Sequence, residues 1–165
     1  MKNLALFPIV LMLSFINQGK IWSQTVSKDT LKPCMECKEL LNLDLPDLRI
    51  LSADIGGNEI KYCRVIGIIG SEIKFGLRLP EAWNSRFIMG GGGGFVGSIQ
   101  NGEAWRVNQG YATVGTDTGH EGTNIDGTWA LNNIERQVNF GFLAVHRTAE
   151  VSKVIIAHYY GSKPR

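Results

Sequence analysis

A run of five consecutive glycines, Gly90 to Gly94, follows a short apolar segment and is the feature of the sequence most suggestive of chemistry. Glycine loses more conformational freedom on folding than any other residue, so such a run is costly to order. The cost is justified where the backbone must take unusual angles or approach another group closely. Three interpretations meet that condition: an oxyanion hole, a dinucleotide-binding loop and a tight structural turn.

In the first interpretation the glycines form an oxyanion hole. Without side chains, the backbone N–H groups of Gly92, Gly93 and Gly94 can face a substrate directly. In many esterases a glycine-rich loop after an early strand supplies such a donor. Each donor stabilises the oxyanion of the tetrahedral intermediate by about 3 kcal/mol. We expect Gly93 or Gly94 to be the principal donor.

The second interpretation is a dinucleotide-binding loop. Gly92, Gly94 and Gly97 match the pattern G-x-G-x-x-G, and Asp117 lies 20 residues beyond Gly97. This is the spacing of a Rossmann fingerprint, in which the glycines open a helix and the acid binds a ribose hydroxyl. The segment after Gly97 is a poor helix start, which counts against this interpretation. No Gly-Lys-Ser/Thr follows the run, which excludes a P-loop of the Walker type.

The elements that position the run are predicted from periodicity and turn residues. The pattern predicts an antiparallel hairpin, then two short strands separated by the glycine run, and a long final helix. This order is typical of the first half of a mixed α/β sheet. The predicted segments are a helix over 32–43, strands over 49–55, 62–69, 72–79, 86–89 and 111–115, and a helix that begins near Asn132.

The final helix has recognisable ends. Asn132 and Glu135 have the spacing of a capping box, and Gly161 is predicted to end the helix. Phe142 and Val145 are expected on its apolar face. In the absence of later strands, one side of the strand over 111–115 is expected to be an unpaired edge.

The N-terminal segment predicts export. Residues 1–23 combine a positive charge at Lys2, an apolar stretch too short for a permanent membrane span, and the small residue Ser23 before a cleavage point. A retained membrane anchor is the alternative. Residues 24–165 would then form the mature domain, secreted or periplasmic. Lys and Arg number 17 against 15 Asp and Glu, and this near balance does not favour a nucleic-acid or membrane-surface partner.

The chain has three cysteines, Cys34, Cys37 and Cys63. Cys34 and Cys37 have the CxxC spacing, but a zinc site needs further ligands, and there is no second CxxC and no pair of histidines at ligand spacing. In an exported chain, one disulfide and one spare thiol is the simplest account. The spacing alone leaves the pairing open.

Several stretches of the sequence, taken in order, resemble the tannase and feruloyl esterase family of secreted serine esterases. The resemblance extends over residues 34–165, and the combination of motifs is more specific than any single one. Its most specific parts are Gly91-Gly92-Gly93-Gly94-Phe95, Gly110-Tyr111-Ala112, Thr116-Asp117-Thr118-Gly119-His120 and Trp129-Ala130-Leu131-Asn132.

The resemblance implies that residues 24–165 are the N-terminal part of an α/β-hydrolase fold with an incomplete sheet. It implies hydrolysis of aromatic carboxylic esters, of feruloyl or galloyl type, through a serine acyl-enzyme. It also implies a disulfide between Cys37 and Cys63, and calcium in a downstream lid that these residues do not include. A small aromatic ester is then the expected partner, with no cofactor, nucleic acid or membrane.

The catalytic residues themselves are expected downstream. No serine in the chain has glycine at both positions two residues away, so the G-x-S-x-G elbow is missing. The triad in this fold follows the order Ser, Asp, His, and the family serine is expected after Arg165. Asp117 and His120 therefore cannot be triad members, and we expect them to form hydrogen bonds in the loop that supports the glycines, rather than to touch substrate. The chain alone is predicted inactive; the alternative is a non-catalytic exported binding domain.

Overall fold

The structure is a computed structural model and describes residues 30–165. The predicted export signal over residues 1–23 lies outside the described residues. Within the part that the structure describes, no helix combines the length and apolar character needed to cross a membrane.

A five-stranded mixed sheet forms the centre of the molecule. Its order is β1-β2-β3-β5-β4, with β4 and β5 parallel and every other neighbouring pair antiparallel. The predicted hairpin is confirmed as β2 and β3, which pair without interruption from Tyr62 opposite Pro80 to Ile69 opposite Ile73. The strands are β1 (Leu48–Gly56), β2 (Tyr62–Ile69), β3 (Ile73–Pro80), β4 (Phe87–Met89) and β5 (Ala112–Thr116).

The expectation of an unpaired edge beside the fifth strand is wrong. β5 pairs with β3 on one side and with β4 on the other, so it is an interior strand. Its five residues are all buried, as expected for a strand enclosed on both faces and both edges. The long connection from β4 returns the chain to the space between β3 and β4, which leaves β4 at the edge of the described sheet.

Helical segments pack against the sheet. The predicted helix over 32–43 is a shorter 3₁₀ helix, and its buried Leu40 joins the core. The segments are 3₁₀ helices over Cys37–Asn42, Ala104–Gln109 and Thr128–Ala130, α1 (Ile134–Val138), a π-turn over Asn139–Leu143, and α2 (Ala144–Tyr160).

The start and the apolar face of the last helix differ from the prediction. Asn133, rather than Asn132, is the N-cap, and its side chain accepts a hydrogen bond from the Arg136 N–H at 3.1 Å. Phe142 and Val145 are exposed. The π-turn includes Phe142 and precedes Val145, and its wider turn shifts these side chains from the positions that a regular α-helix would give them.

One disulfide fixes the 3₁₀ helix at Cys37 to β2 at Cys63, as the family resemblance implies. It closes a loop with a sequence separation of 26 residues. In the loop-entropy model such a link stabilises the fold by about 3 kcal/mol. Cys34 is a free, exposed thiol.

Candidate active site

The glycine run lies at the carboxyl end of β4. Because β4 and β5 are parallel, the loops that follow both strands meet at one edge of the sheet. Two backbone hydrogen bonds join these loops: the Phe95 N–H donates to the Asn124 carbonyl at 2.8 Å, and the Gly122 N–H donates to the Gly97 carbonyl at 3.0 Å. These two bonds fix the C-terminal end of the glycine run to the loop after β5.

The amide groups in the middle of the run are free to bind a ligand. Gly91 to Phe95 are exposed. Among residues 30–165, the Gly92 and Gly94 N–H groups have no acceptor, and the Gly93 N–H has only the Gln100 side-chain oxygen at 3.4 Å. This surface can donate hydrogen bonds to an anion.

The glycines of the run differ in whether a larger residue would fit. Gly94 has φ +60°, and a Cβ there would overlap the carbonyl oxygen of Asn124. A Cβ at Gly91 or Gly93 would meet no atom within 4 Å. Packing within the described chain therefore explains the glycine at position 94 but not the glycine at position 93.

Two β-branched residues near the site adopt left-handed backbone angles. Val96 has φ 61° and Thr118 has φ 64°. This region is a genuine outlier for β-branched side chains, and such residues cluster at functional sites. One lies just after the glycine run and the other in the loop after β5, so the strain is concentrated at the same edge of the sheet.

Asp117 is buried at the end of β5 and is 1% exposed. Its Oδ1 accepts hydrogen bonds from the Lys74 N–H at 3.0 Å and the Gly119 N–H at 2.9 Å. Burial raises the pKa of this carboxyl to about 6, although the two hydrogen bonds and the charge of Lys74 act in the opposite direction. Asp117 thus fixes the loop after β5 to β3 and bonds no residue of the glycine run.

His120 is also buried, and its imidazole lies flat against the indole of Trp129 with ring centroids 3.6 Å apart. Its Nδ1 lies 3.4 Å from the Thr118 hydroxyl oxygen. Burial lowers the pKa of His120, and the backbone of Phe95 opposes that shift. The expected role of Asp117 and His120 in supporting the glycine loop stays a prediction. Beyond the residue type, no sequence signal predicted the stack between His120 and Trp129.

The dinucleotide interpretation fails on two structural points. After Gly97 the chain forms a bend and a single bridge at Gln100, and the next helical segment is a 3₁₀ helix that begins only at Ala104. Asp117 is buried against the backbone and cannot face a ribose. The glycines do not open a helix, so they cannot form a Rossmann phosphate site.

The described residues at this edge of the sheet do not form a metal site. Between residues 30 and 165 there is no group of three or more His, Cys, Asp or Glu side chains placed to hold a metal ion. The described residues therefore do not fit the calcium site that the family resemblance assigns to the lid.

The sheet order, the glycine loop after β4 and the helix that follows β5 define part of an α/β-hydrolase. The family model described as "Tannase and feruloyl esterase" matches residues 58–165. The chain belongs to the tannase and feruloyl esterase family.

Relatives and a solved structure agree with this assignment. An uncharacterized esterase of Agrobacterium fabrum is 30% identical over 73% of this chain, and the mono(2-hydroxyethyl) terephthalate hydrolase of Piscinibacter sakaiensis is 31% identical over 61%. The matches span 26% and 21% of those relatives. The crystal structure of an esterase from Aspergillus oryzae matches with a TM-score of 0.71 at 24% identity, over 78% of this chain and 30% of that one.

Proposed function

We propose that this chain supplies the oxyanion-binding loop of a serine carboxylic ester hydrolase. The observation that carries the proposal is the set of exposed amide groups at Gly92, Gly93 and Gly94, which lack a firm acceptor among the described residues. They lie at the carboxyl ends of parallel strands, where ligands bind in open α/β sheets. Membership of an esterase family supports the same function.

In the proposed mechanism a serine oxygen attacks the ester carbonyl, and the carbonyl oxygen becomes an oxyanion. The Gly93 or Gly94 N–H donates to that oxygen, which lowers the barrier to the tetrahedral intermediate. A histidine takes the serine proton and returns it to the leaving alcohol, and an aspartate orients the histidine. The resulting acyl-enzyme is then hydrolysed by water.

We place the serine, histidine and aspartate of that mechanism outside these 165 residues. The chain has no G-x-S-x-G elbow, and its matches span about a quarter of the length of the curated relatives. Asp117 and His120 precede any later nucleophile, so the triad order of the fold excludes them. We assign them a supporting role beneath the glycine loop.

The proposed substrates are esters of aromatic carboxylic acids, of feruloyl or galloyl type. The family description names tannase and feruloyl esterase, and one relative is named for a half ester of terephthalate. We also propose that residues 1–23 direct export. The Cys37–Cys63 disulfide supports a secreted or periplasmic location, because disulfides persist in oxidising compartments.

Hydrolysis of methyl ferulate tests the proposal in two arms. The purified 165-residue chain should show only background release of ferulate. The product of the whole reading frame should hydrolyse the ester and lose that activity on treatment with a serine-directed phosphonate. Phosphonate-sensitive activity in the 165-residue chain would contradict the proposed location of the nucleophile.

The reading frame itself separates the catalytic proposal from the binding alternative. We expect codons beyond Arg165 to encode the serine within a Cys-Ser-x-Gly-Gly turn, the motif that the family resemblance implies. A stop codon directly after Arg165, together with cooperative unfolding of the chain, would instead favour an exported binding domain without catalysis.

A further inference from the structure

Four aromatic rings meet beneath the distal end of the glycine run. Phe95, His120, Trp129 and Phe140 form this group, which we call the aromatic clamp. The centroid of Trp129 lies 3.6 Å from His120, 5.2 Å from Phe140 and 6.2 Å from Phe95. Stacked and edge-on pairs of this kind stabilise a structure beyond the area that they bury. Trp129 and Phe140 each pair with all three other rings, and the Trp129–His120 contact is the closest of the group.

The clamp draws its members from four different segments. Phe95 ends the glycine loop, His120 follows β5, Trp129 lies in a 3₁₀ helix, and Phe140 lies in the π-turn. π-turns occur frequently at functional sites. The clamp therefore packs four segments that are distant in sequence against one another, next to the glycine run.

The clamp reaches the glycine backbone through Phe95. The Phe95 N–H is bonded to Asn124, and its ring lies over Gly127, where a Cβ would come within 3.4 Å of the ring. Since Phe95 follows Gly94 directly, the orientation of its ring and its amide sets the end of the run. A shift of Phe95 would rotate the neighbouring peptide groups.

Two buried nitrogens of the clamp are left without hydrogen-bond partners in the described chain by the ring packing. The His120 Nε2 and the Trp129 Nε1 are buried and have no hydrogen-bond partner among the described residues. An unsatisfied buried polar atom is costly, so the stack is maintained against that cost. An apolar side chain would avoid the cost but would not provide two flat faces in contact.

We propose that Trp129 is a positioning residue, which acts through His120 and Phe95 to fix the direction of the amide groups of Gly92 to Gly94. Its consequence for catalysis rests on the function proposed above. The positioning itself is a property of the described chain and can be measured without ester hydrolysis.

Hydrogen exchange of the Phe95 and Val96 amides tests the proposal. Both are hydrogen-bonded, to the carbonyls of Asn124 and Gly93. In the protein expressed from its whole reading frame, Trp129→Ala should speed their exchange at least tenfold, and Trp129→Phe should restore most of the protection. The matched control is Trp105→Ala, a tryptophan that is 51% exposed and packs on Arg106; it should leave both amides unchanged.

A second variant protects the test from a folding defect. If Trp129→Ala does not fold, Trp129→Leu fills the space without stacking and should show the same faster exchange. Unchanged exchange of Phe95 and Val96 in folded Trp129→Ala or Trp129→Leu would overturn the proposal.

Steady-state kinetics on methyl ferulate separate this inference from the proposed function. Trp129→Ala should lower kcat at least 30-fold with KM within threefold, and Trp129→Phe should recover most of kcat. A loss confined to KM would contradict positioning. If Trp129→Ala speeds amide exchange but the wild type hydrolyses no ester, the proposed function fails and the positioning role stands. If the wild type hydrolyses the ester but Trp129→Ala leaves amide exchange unchanged, the positioning role fails and the proposed function stands.

Discussion

The hairpin region, residues 37–80, and the loop end, residues 90–97 and 117–129, are built on opposite principles. The hairpin region has uninterrupted pairing of β2 with β3, a disulfide and a buried apolar face. The loop end has left-handed β-branched residues and three buried polar atoms without partners among the described residues, in Asp117, His120 and Trp129. The hairpin region is stabilised by its own contacts. The loop end has strained backbone angles, and polar atoms that lack a partner in the described chain, beside the proposed oxyanion-binding amides.

That difference predicts where a substitution will change stability and where it will change function. Substitutions in the hairpin region should change the free energy of unfolding. Substitutions in the loop end should change local amide hydrogen exchange, the pH dependence of stability and the turnover of substrate.

Truncation of a core phenylalanine should give the largest stability effect. Phe75 is fully buried on β3, so Phe75→Ala should lower the free energy of unfolding by about 4 kcal/mol through lost burial and cavity formation. Phe142 lies within the π-turn and is 64% exposed, so Phe142→Ala should cost less than about 1 kcal/mol. Urea unfolding measures both; equal losses would contradict the helix face described here.

Removal of the disulfide should come next. The double variant Cys37→Ser with Cys63→Ser should lose about 3 kcal/mol, because the unfolded chain regains the entropy of an open loop. The control is Cys34→Ser, which removes an exposed free thiol and should leave the unfolding midpoint unchanged. A similar midpoint for the double variant and the wild type would show that the link contributes little.

Asp117 should give the loop end a characteristic pH dependence. Burial raises its pKa in the folded state to about 6, above the unfolded value, so the folded state holds this proton more tightly. Its contribution favours folding below about pH 4 and is lost as the pH rises through about 6. We expect the free energy of unfolding of the wild type, measured relative to that of Asp117→Asn, to fall by about 3 kcal/mol between about pH 4 and pH 6.

Asp126 provides the contrast for that titration. Hydrogen bonds from the Thr128 backbone and hydroxyl lower its pKa, so its contribution to stability should rise with pH. Asp126→Asn should therefore give a difference of opposite sign. A pH-independent difference for Asp117→Asn would mean that its carboxyl is not held in the buried environment described here.

Alanine substitutions within the glycine run should give the smallest of these stability effects. Gly94→Ala should cost about 2 kcal/mol, because residue 94 has φ +60° and no room for a Cβ beside Asn124. Gly91→Ala should cost less than about 1 kcal/mol, since a Cβ there is unobstructed. Thermal unfolding of the pair checks this, and a destabilised Gly91→Ala would show that the run is more tightly packed than described.

Sequence reasoning predicted the regular elements better than their connections. The alternation of Ile73, Phe75, Leu77 and Leu79 is a local pattern of period two, and it correctly gave the buried face of β3. The position of β5 between β3 and β4 depends on the path of a long connection, which has no local pattern. The strand edge was therefore predicted wrongly.

The candidate site shows the same division. The glycine run was identifiable because consecutive glycines have few physical justifications. The π-turn was not, since no local sequence pattern marks its extra residue. The contact between His120 and Trp129 joins two loops, so only the fold reveals it.

Replacement of single backbone amides by esters tests the central claim most directly. Glycolic acid in place of Gly92, Gly93 or Gly94 removes one N–H and leaves the shape of the chain nearly unchanged; the same change at Gly91 is the control. In the protein from the whole reading frame, the ester at Gly93 or Gly94 should lower kcat on methyl ferulate by about 100-fold to 1,000-fold with little change in KM. Wild-type kcat in all three variants would contradict the assignment of these amides to the oxyanion.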